Sequence, residues 1–524
     1  MGSSVVLEVD DSLVSVGDFS APAVTDTVGF LVAQYRAEKK KIEEMSAYIT
    51  QNESGVLKYF LEATLEKGSS LYVDCLFNKE AAIAVLDATY WNRLLNMTDL
   101  FEIMPSARRD EWSDQITKHT TPAFAEQTVR DTLFDLISRR KTFLSEKVDA
   151  IFRSLSGSHV TNRPEGFSKR MIIDQVIYQT GYLDYTKAGP LNDLRSVIAK
   201  FMGRDQPHHT TTNRAIEIAR DRGGWVVLDG GALRLRVFKG ACTAHLEVNE
   251  AIAWKLNQVL SYLYPAAIPS SMRTKPKRVT KSFATLNTPI PFTVVKVFTD
   301  ILHEKISDNS VTIPYMLAKE SETLSRVKTI LQSIGGTSVV HNKYDFNFDP
   351  RPVIEEIALS GQVPEQKSHQ FHPTREALGS EAVARAGIED GDECLEPSAG
   401  MGGLADHMPK DQTLCIEISK LHCKVLTAKG YNTECGDFLA WACKTSRRFD
   451  RIVMNPPFSD GRATLHLEAA ASLLRANGRL VAILPGSMRG KDLLPGFSHE
   501  WHGPYTDQFD GTGVVVTMLV AQRS

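Results

Sequence analysis

The sequence predicts an α/β domain on a mostly parallel sheet at the C-terminus, preceded by a mainly helical α+β region. Three observations predict it. From Phe371 onward short apolar runs alternate with helical stretches, the rhythm of strands joined by crossover helices. The run Glu393-Cys-Leu-Glu396 enters a turn of small residues, Pro397-Ser398-Ala399-Gly400-Met-Gly-Gly403, as strands do where a ligand lies against backbone. Before Met171, apolar residues recur instead at helical spacing.

At 524 residues the chain exceeds one ordinary core. The expected division is a flexible leader (1–27), an α+β domain (28–270), a basic linker (271–282), a small α+β module (283–365) and the α/β domain (366–524). Apolar content of 42% and charged content of 23% are those of a folded chain. No window holds about eighteen consecutive apolar residues, which speaks against a membrane span, and no basic segment precedes an apolar one at the start, which speaks against a secretory signal. Seven scattered cysteines without a C-x-x-C pair favour reduced thiols and a cytoplasmic location, with no metal site. The net charge of -3 leaves any contact with nucleic acid to local patches.

Gly29 to Thr50 reads as an amphipathic helix through Phe30, Leu31, Tyr35, Ile42 and Met45, and Leu133, Leu136, Phe143 and Val148 form another stripe. Trp225–Leu228, Leu233–Phe238 and Thr243–Val248, separated by Asp229-Gly-Gly231 and Lys239-Gly240, read as three short antiparallel strands. A helix from Glu250 to Leu263 follows. Within the linker, Arg273, Lys275, Lys277, Arg278 and Lys281 stand without an acidic neighbour, either a strap for phosphate or a solvated connection. Helices at Phe292–Glu304 and Leu317–Ile334 and a hairpin at Ser338–Phe348 fit a winged-helix-like module. His208-His209, in a Thr-rich loop, reads as exposed rather than metal-binding.

Four successive strand ends then carry polar groups. The first runs into the glycine turn, behind which a helix from Leu404 is expected to offer its free N–H groups. The second ends in Glu417-Ile418, at the spacing where a carboxylate meets ribose hydroxyls in a doubly wound sheet. The third ends in Asp437-Phe438, an acceptor for an exocyclic amine beside a ring that covers a flat base. The fourth ends in Asn455-Pro456-Pro457-Phe458. On the carboxyl side of one sheet, such a series forms a site.

The last motif has a direct chemical reading. Prolines fix φ and remove N–H donors, so the carbonyls beside them point rigidly outward. An amine conjugated to a base is a poor nucleophile because its lone pair is delocalised. Two acceptors, Asn455 Oδ1 and the Pro456 carbonyl, draw its hydrogens out of the ring plane. The nitrogen then attacks an electrophilic methyl in line, through positioning and electrostatics rather than a strong base. Phe458 supplies a stacking face for a base that has left its helix.

These motifs together resemble the class I amino-methyltransferases that use S-adenosylmethionine, above all DNA adenine-N6 methyltransferases of the gamma group and of type I modification subunits. The resemblance covers about 150 residues. It implies a Rossmann-like domain with a mostly parallel seven-stranded sheet, S-adenosylmethionine as cofactor and DNA as substrate. Phe371-His-Pro-Thr374 is similar to the segment beside the cofactor's methionine end, which makes Thr374 a cofactor contact, although Arg375 stands where that family often has a second proline. Glu396, Pro397, Ser398, Ala399, Gly400, Glu417, Ile418, Asp437 and Phe438 complete the implied cofactor site, and Asn455, Pro456, Pro457 and Phe458 the catalytic one. Gly478–Pro485 resembles the fifth strand and Phe509–Thr517 the closing hairpin of such a core. Phe152–Asn162, Lys200–Arg204 and Asp229–Arg234 are similar to an uncharacterised domain of phage and plasmid methyltransferases, an association that implies a modification or antirestriction role.

Substrate selection is then expected of the region before 366, through the basic linker or through His159, Asn162, Arg163, Lys169 and Arg170. Two other readings stay open. One is methylation of an RNA base at adenine N6 or guanine N2, or of a protein glutamine. The other is a non-catalytic nucleic-acid-binding antirestriction protein.

Overall fold

The computed structural model describes residues 24–49, 56, 59, 78–98, 100–275, 287–307, 309–314, 321–340, 342–364, 374–506, 508 and 514–523. They fall into two compact units, each assembled from separate stretches of chain: one from residues up to 206 together with 240–275, the other from 207–239 together with those from 287 onward.

The first unit is mainly helical. Helices Val24–Tyr48, Lys79–Asn96, Ser106–Thr117 and Glu126–Ser138 surround a core of Leu31, Tyr35, Tyr90, Trp91, Leu94, Phe124 and Leu133. The spacings within 28, 31, 32, 35 and within 86, 90, 94 put these side chains on one face of their helices. Buried Asp87 accepts the Phe124 N–H at 2.7 Å and Trp91 Nε1 donates to the Pro122 carbonyl at 2.7 Å, so a loop is tied to the helix that covers it. The first helix begins inside the segment expected as a leader; residues 1–23 lie outside the described residues. Strand Arg170–Ile173 pairs antiparallel with Thr243–Val248.

Asn162 is a structural tie. Its amide nitrogen donates to the carbonyls of Ser156 and Ile172 at 2.7 and 2.9 Å, and its oxygen accepts from Ile172 N at 2.9 Å. Lys169 pairs with Glu250 at 2.9 Å, Arg170 reaches Glu247 and His159 faces Asp174 at 3.8 Å. In this arrangement four of the five polar residues proposed to grip a substrate bind their own unit, because each lies beside an oppositely charged or hydrogen-bonding neighbour on the adjoining element.

In the second unit, Val226–Leu228 and Leu233–Phe238 pair across Asp229-Gly230-Gly231, whose φ values of 49°, 72° and 86° are left-handed. Helices Phe292–Glu304 and Ser321–Ser333 accompany a small antiparallel sheet of Ile306–Ser307, Ser310–Thr312, Lys343–Asp345 and Thr337–Val340.

This unit also contains helices His209–Arg222 and Arg351–Ser360, the antiparallel pair Asn287–Pro289 and Gln362–Pro364, and a mixed seven-stranded sheet. Its strands are β1 (Cys394–Glu396), β2 (Thr413–Glu417), β3 (Asn432–Cys435), β4 (Phe449–Met454), β5 (Leu474–Pro485), β6 (Phe497–Tyr505) and β7 (Val516–Arg523). Their order is β3-β2-β1-β4-β5-β7-β6. The strands β1 to β5 pair in parallel, while β7 pairs antiparallel with both β5 and β6. Four helices accompany them: α1 (Glu376–Ala386), α2 (Lys420–Ala428), α3 (Phe438–Ala442) and α4 (Arg462–Ser472).

Alternation along the strands divides the sheet's side chains between two cores. Ile452, Met454, Leu480, Ala482, Leu484 and Leu519 join Ala463, Leu467 and Ala470 of α4. Val453, Val481, Ile483, Met518 and Val520 join Leu378, Ala382 and Ala386 of α1. Each such Leu, Ile or Val stabilises by about 1.5–3 kcal/mol when fully buried.

One local expectation fails. No α-helix follows the glycine turn; Ala405–His407 make a single 3-10 turn. Pro409 is the reason, since a residue before proline is driven out of the helical region, and Met408 is extended at φ -103°, ψ 154°. The sheet closes on the antiparallel pair β6 and β7; of the segment expected for the closing hairpin, Phe509–Thr517, residues 509–513 lie outside the described residues.

Candidate functional site

The chain runs from β1 outward to β3, then returns to lay β4 against β1 on the opposite side. The order therefore reverses between β1 and β4, and in open α/β sheets ligands bind in the crevice beyond the carboxyl ends at that point. Glu396 ends β1, Glu417 ends β2, and Asn455 follows the last residue of β4. Three of the four sequence motifs thus leave adjacent strands at one edge of the sheet. The fourth lies just beyond β3: Asp437 is the N-cap of α3, and its Oδ1 accepts from Leu439 N at 2.8 Å and Ala440 N at 3.2 Å.

The glycine loop is held from several directions. Gly400 and Gly402 have φ values of 54° and 92°, where a Cβ is strained, and a Cβ on Gly402 would meet Asp406 Oδ1 and Leu426 at 3.3 Å. Lys429 Nζ donates to the Met401 carbonyl at 2.8 Å and to Asp406 Oδ2 at 2.7 Å, while Tyr431 OH donates to Asp406 Oδ1 at 3.0 Å.

Glu417, buried, binds this loop directly. Its Oε2 accepts from Gly400 N at 2.8 Å and its Oε1 from Ser419 N at 2.7 Å, joining the turn after β1 to the turn after β2. Pro397, Ala399 and Gly400 are buried; Ser398 and Ile418 are half-buried.

Glu396 is 2% exposed, and its Oε2 has no hydrogen-bond partner. Burial drives its carboxyl well above the usual range, against a smaller opposing pull from the Ala405 N–H. A buried carboxyl with an unpaired oxygen of this kind fits a ligand bearing an ammonium or hydroxyl group.

At the other side of the crevice, Asn455 Nδ2 donates to Thr374 Oγ1 at 3.1 Å. Pro456 is buried, and half-buried Phe458 packs against both cores, so the motif is anchored where the two layers meet. Phe438 is 3% exposed, with its ring 5.4 Å from that of His466 and 6.3 Å from that of Trp441.

His466 has no place among the residues expected from the sequence. It lies in α4 with Ala463, Leu467 and Ala470 on the buried face, and its Nδ1 is 3.2 Å from Ser398 Oγ in the glycine loop. Burial, reinforced by Arg462, lowers its pKa to about 4, so at neutral pH it is an uncharged partner of Ser398. The signal was a lone polar residue on an otherwise apolar helical stripe.

Of the basic linker, Arg273 is half-buried and Lys275 exposed, while Lys277, Arg278 and Lys281 lie outside the described residues. His208 and His209 are exposed, with rings 4.1 Å apart, and His208 caps helix His209–Arg222. Among the described residues no cluster of three His, Cys, Asp or Glu side chains is placed to hold a metal ion, and no helix is long and apolar enough to cross a membrane.

A family described as a domain of unknown function (DUF4942) matches residues 83–266. No curated protein matches the chain. Similar solved structures include an rRNA methylase from Streptococcus thermophilus, with 10% identity over 28% of this chain and 96% of that one, at a TM-score of 0.23. The M protein of the type I restriction enzyme EcoKI has 14% identity over 39% of this chain and 55% of its own, at 0.26. A putative methyltransferase, yhhF, from Escherichia coli has 15% identity over 25% and 76%, at 0.21.

Proposed function

We propose that residues 374–523 carry an S-adenosylmethionine-dependent methyl transfer to an exocyclic amino nitrogen, and that the acceptor is N6 of adenine in DNA. The observation that carries this reading is Asn455-Pro456-Pro457-Phe458 leaving β4 beside the glycine loop of β1, at the reversal point of the sheet.

The unpaired buried oxygen of Glu396 and the left-handed glycine turn support a cofactor held here. Glu396, Pro397, Ser398, Ala399 and Gly400 would hold its methionine portion with Thr374, Glu417 and Ile418 would meet its ribose, and Asp437 and Phe438 its adenine. A carboxylate oxygen has two lone-pair directions, so Glu417 can serve ribose hydroxyls as well as the N–H groups of Gly400 and Ser419. When bound, the cofactor supplies a sulfonium-activated methyl carbon.

Asn455 Oδ1 and the Pro456 carbonyl accept the two hydrogens of the target amine and return its lone pair to nitrogen. The new N–C bond forms as the C–S bond breaks, and the amine then loses one proton to solvent. Phe458 holds the plane of the base. The region before residue 366 selects the substrate, with Arg273, Lys275, Lys277, Arg278 and Lys281 contacting phosphate, in a modification or antirestriction setting.

The test is incubation with tritiated S-adenosylmethionine and, separately, duplex DNA, single-stranded DNA, RNA and protein, with Asn455→Ala as control. Label in DNA that is lost in the variant supports the reading. Label in RNA or protein alone rejects the DNA acceptor. Equal label with the variant rejects the site, and no label anywhere favours a non-catalytic binding protein.

A further inference from the structure

We infer that Thr374 is a positioning residue that holds the Asn455 amide with its oxygen toward the target amine. The inference rests on the amino-methylating reading above and adds to it a residue that acts through Asn455.

A side-chain amide has two ends of nearly equal size and opposite chemistry, an oxygen that only accepts and a nitrogen that only donates. Only the oxygen end assists the reaction, because an amine about to be methylated presents N–H donors. Turned by half a revolution, the same side chain would set N–H against N–H and repel the substrate.

Whatever faces the amine, the other end of the amide must also be satisfied within the half-buried crevice. Thr374 Oγ1 does this at 3.1 Å, from a position 81 residues earlier in the chain. In the productive orientation the Thr374 hydroxyl accepts, which is the direction found here. A hydroxyl can also donate, so Thr374 holds the amide in place and the N–H groups of the target amine favour its oxygen end.

Thr374 is itself fixed from behind. A Cβ at Gly403 would lie 3.4 Å from both Thr374 Cβ and Thr374 N, so the backbone of the glycine loop fills the space against this residue. Gly379 in α1 permits a similar approach, since a Cβ there would meet the Gly403 carbonyl at 2.8 Å. Helix, glycine loop and Thr374 thus stack in sequence, and Thr374 is hydrogen-bonded to the amide. The placements of the glycine loop and of the Asn455 side chain therefore meet at one hydroxyl.

The experiment compares the full chain with Thr374→Val, Thr374→Ser and Thr374→Ala. It measures kcat at saturating cofactor and acceptor, cofactor affinity by calorimetry, and thermal unfolding. Thr374→Val keeps the shape and removes the acceptor. Its kcat is expected to fall roughly tenfold, equivalent to about 1.4 kcal/mol, while Thr374→Ser stays near the parent. If Thr374→Val does not fold, Thr374→Ala against Thr374→Ser provides the same contrast.

An unchanged kcat in Thr374→Val overturns the positioning role while leaving the methyltransferase reading intact. A loss of cofactor affinity with kcat unchanged overturns it as well, as does a Thr374→Ser variant no better than Thr374→Val. Failure of the parent protein to methylate any acceptor instead removes the underlying reading, and the inference with it.

Discussion

Glu417→Gln removes one acceptor and changes nothing else in size. In the native chain two oxygens meet two backbone donors, Gly400 N at 2.8 Å and Ser419 N at 2.7 Å. A glutamine offers one oxygen and one NH2 group, so in either orientation one buried N–H faces another donor. An orphaned buried donor costs about 1–3 kcal/mol, and the surviving bond loses its charge assistance. A local penalty near 2 kcal/mol corresponds to about thirtyfold faster opening of the two turns. Amide hydrogen exchange resolved by mass spectrometry reads this directly in peptides spanning 396–404 and 414–420, without requiring the two units to unfold together. Peptides from the first unit, such as the helix Lys79–Asn96, serve as the internal control and should not change. Calorimetric titration with S-adenosylmethionine should show weaker binding by at least tenfold, because the ribose also loses its charged acceptor. Native exchange in both turns together with native affinity would refute the assignment of Glu417 as the clasp between them.

Asn455→Ala should lower kcat by at least about a hundredfold while cofactor affinity stays within threefold, as measured by single-turnover transfer and calorimetry; this is the scale on which a single preorganised polar group acts. Burial lowers the pKa of His466 from the ordinary imidazole value of 6.5 to about 4 on folding, so between these values the unfolded chain binds a proton that the folded one refuses. Stability should therefore decline as pH drops from 6.5 toward 4, by on the order of 3 kcal/mol in total, and His466→Gln should flatten that limb of a denaturation-midpoint profile. Glu396 has the opposite sign: its folded pKa is raised, so the native state keeps a proton that the unfolded chain releases above 4.5, and stability is lost as pH rises. Glu396→Gln, compared with the parent in melts at pH 5 and pH 8, should gain stability at the higher pH and bind cofactor less well at both.

Much of the candidate site was legible because it is built from strand ends. The alternation Ile452-Val453-Met454 and Leu480-Val481-Ala482-Ile483-Leu484 carries the strand assignment, and the polar residue closing each run marks where the chain leaves the sheet. Contacts between distant segments left no such mark. Thr374 and Asn455 are 81 positions apart, and nothing local says that one hydroxyl orients the other's amide. His466 and Ser398 are separated by 68 positions, and a helical stripe shows that a face is buried without saying what it meets. The helix expected after Gly403 failed for a local reason that was readable, since Pro409 is in the sequence. For Asn162, Lys169 and Arg170 the sequence shows polar residues but not the neighbours they meet, Ile172, Glu250 and Glu247.

The central claim is that the end of β4 methylates an amino nitrogen of a DNA base. Its most direct measurement is nucleoside mass spectrometry of duplex DNA incubated with S-adenosylmethionine carrying a deuterated methyl group, using the full chain and Asn455→Ala in parallel. N6-(deuteromethyl)adenine is expected with the parent and none above background with the variant. Label confined to a ring carbon, or present at the same level with Asn455→Ala, would contradict it.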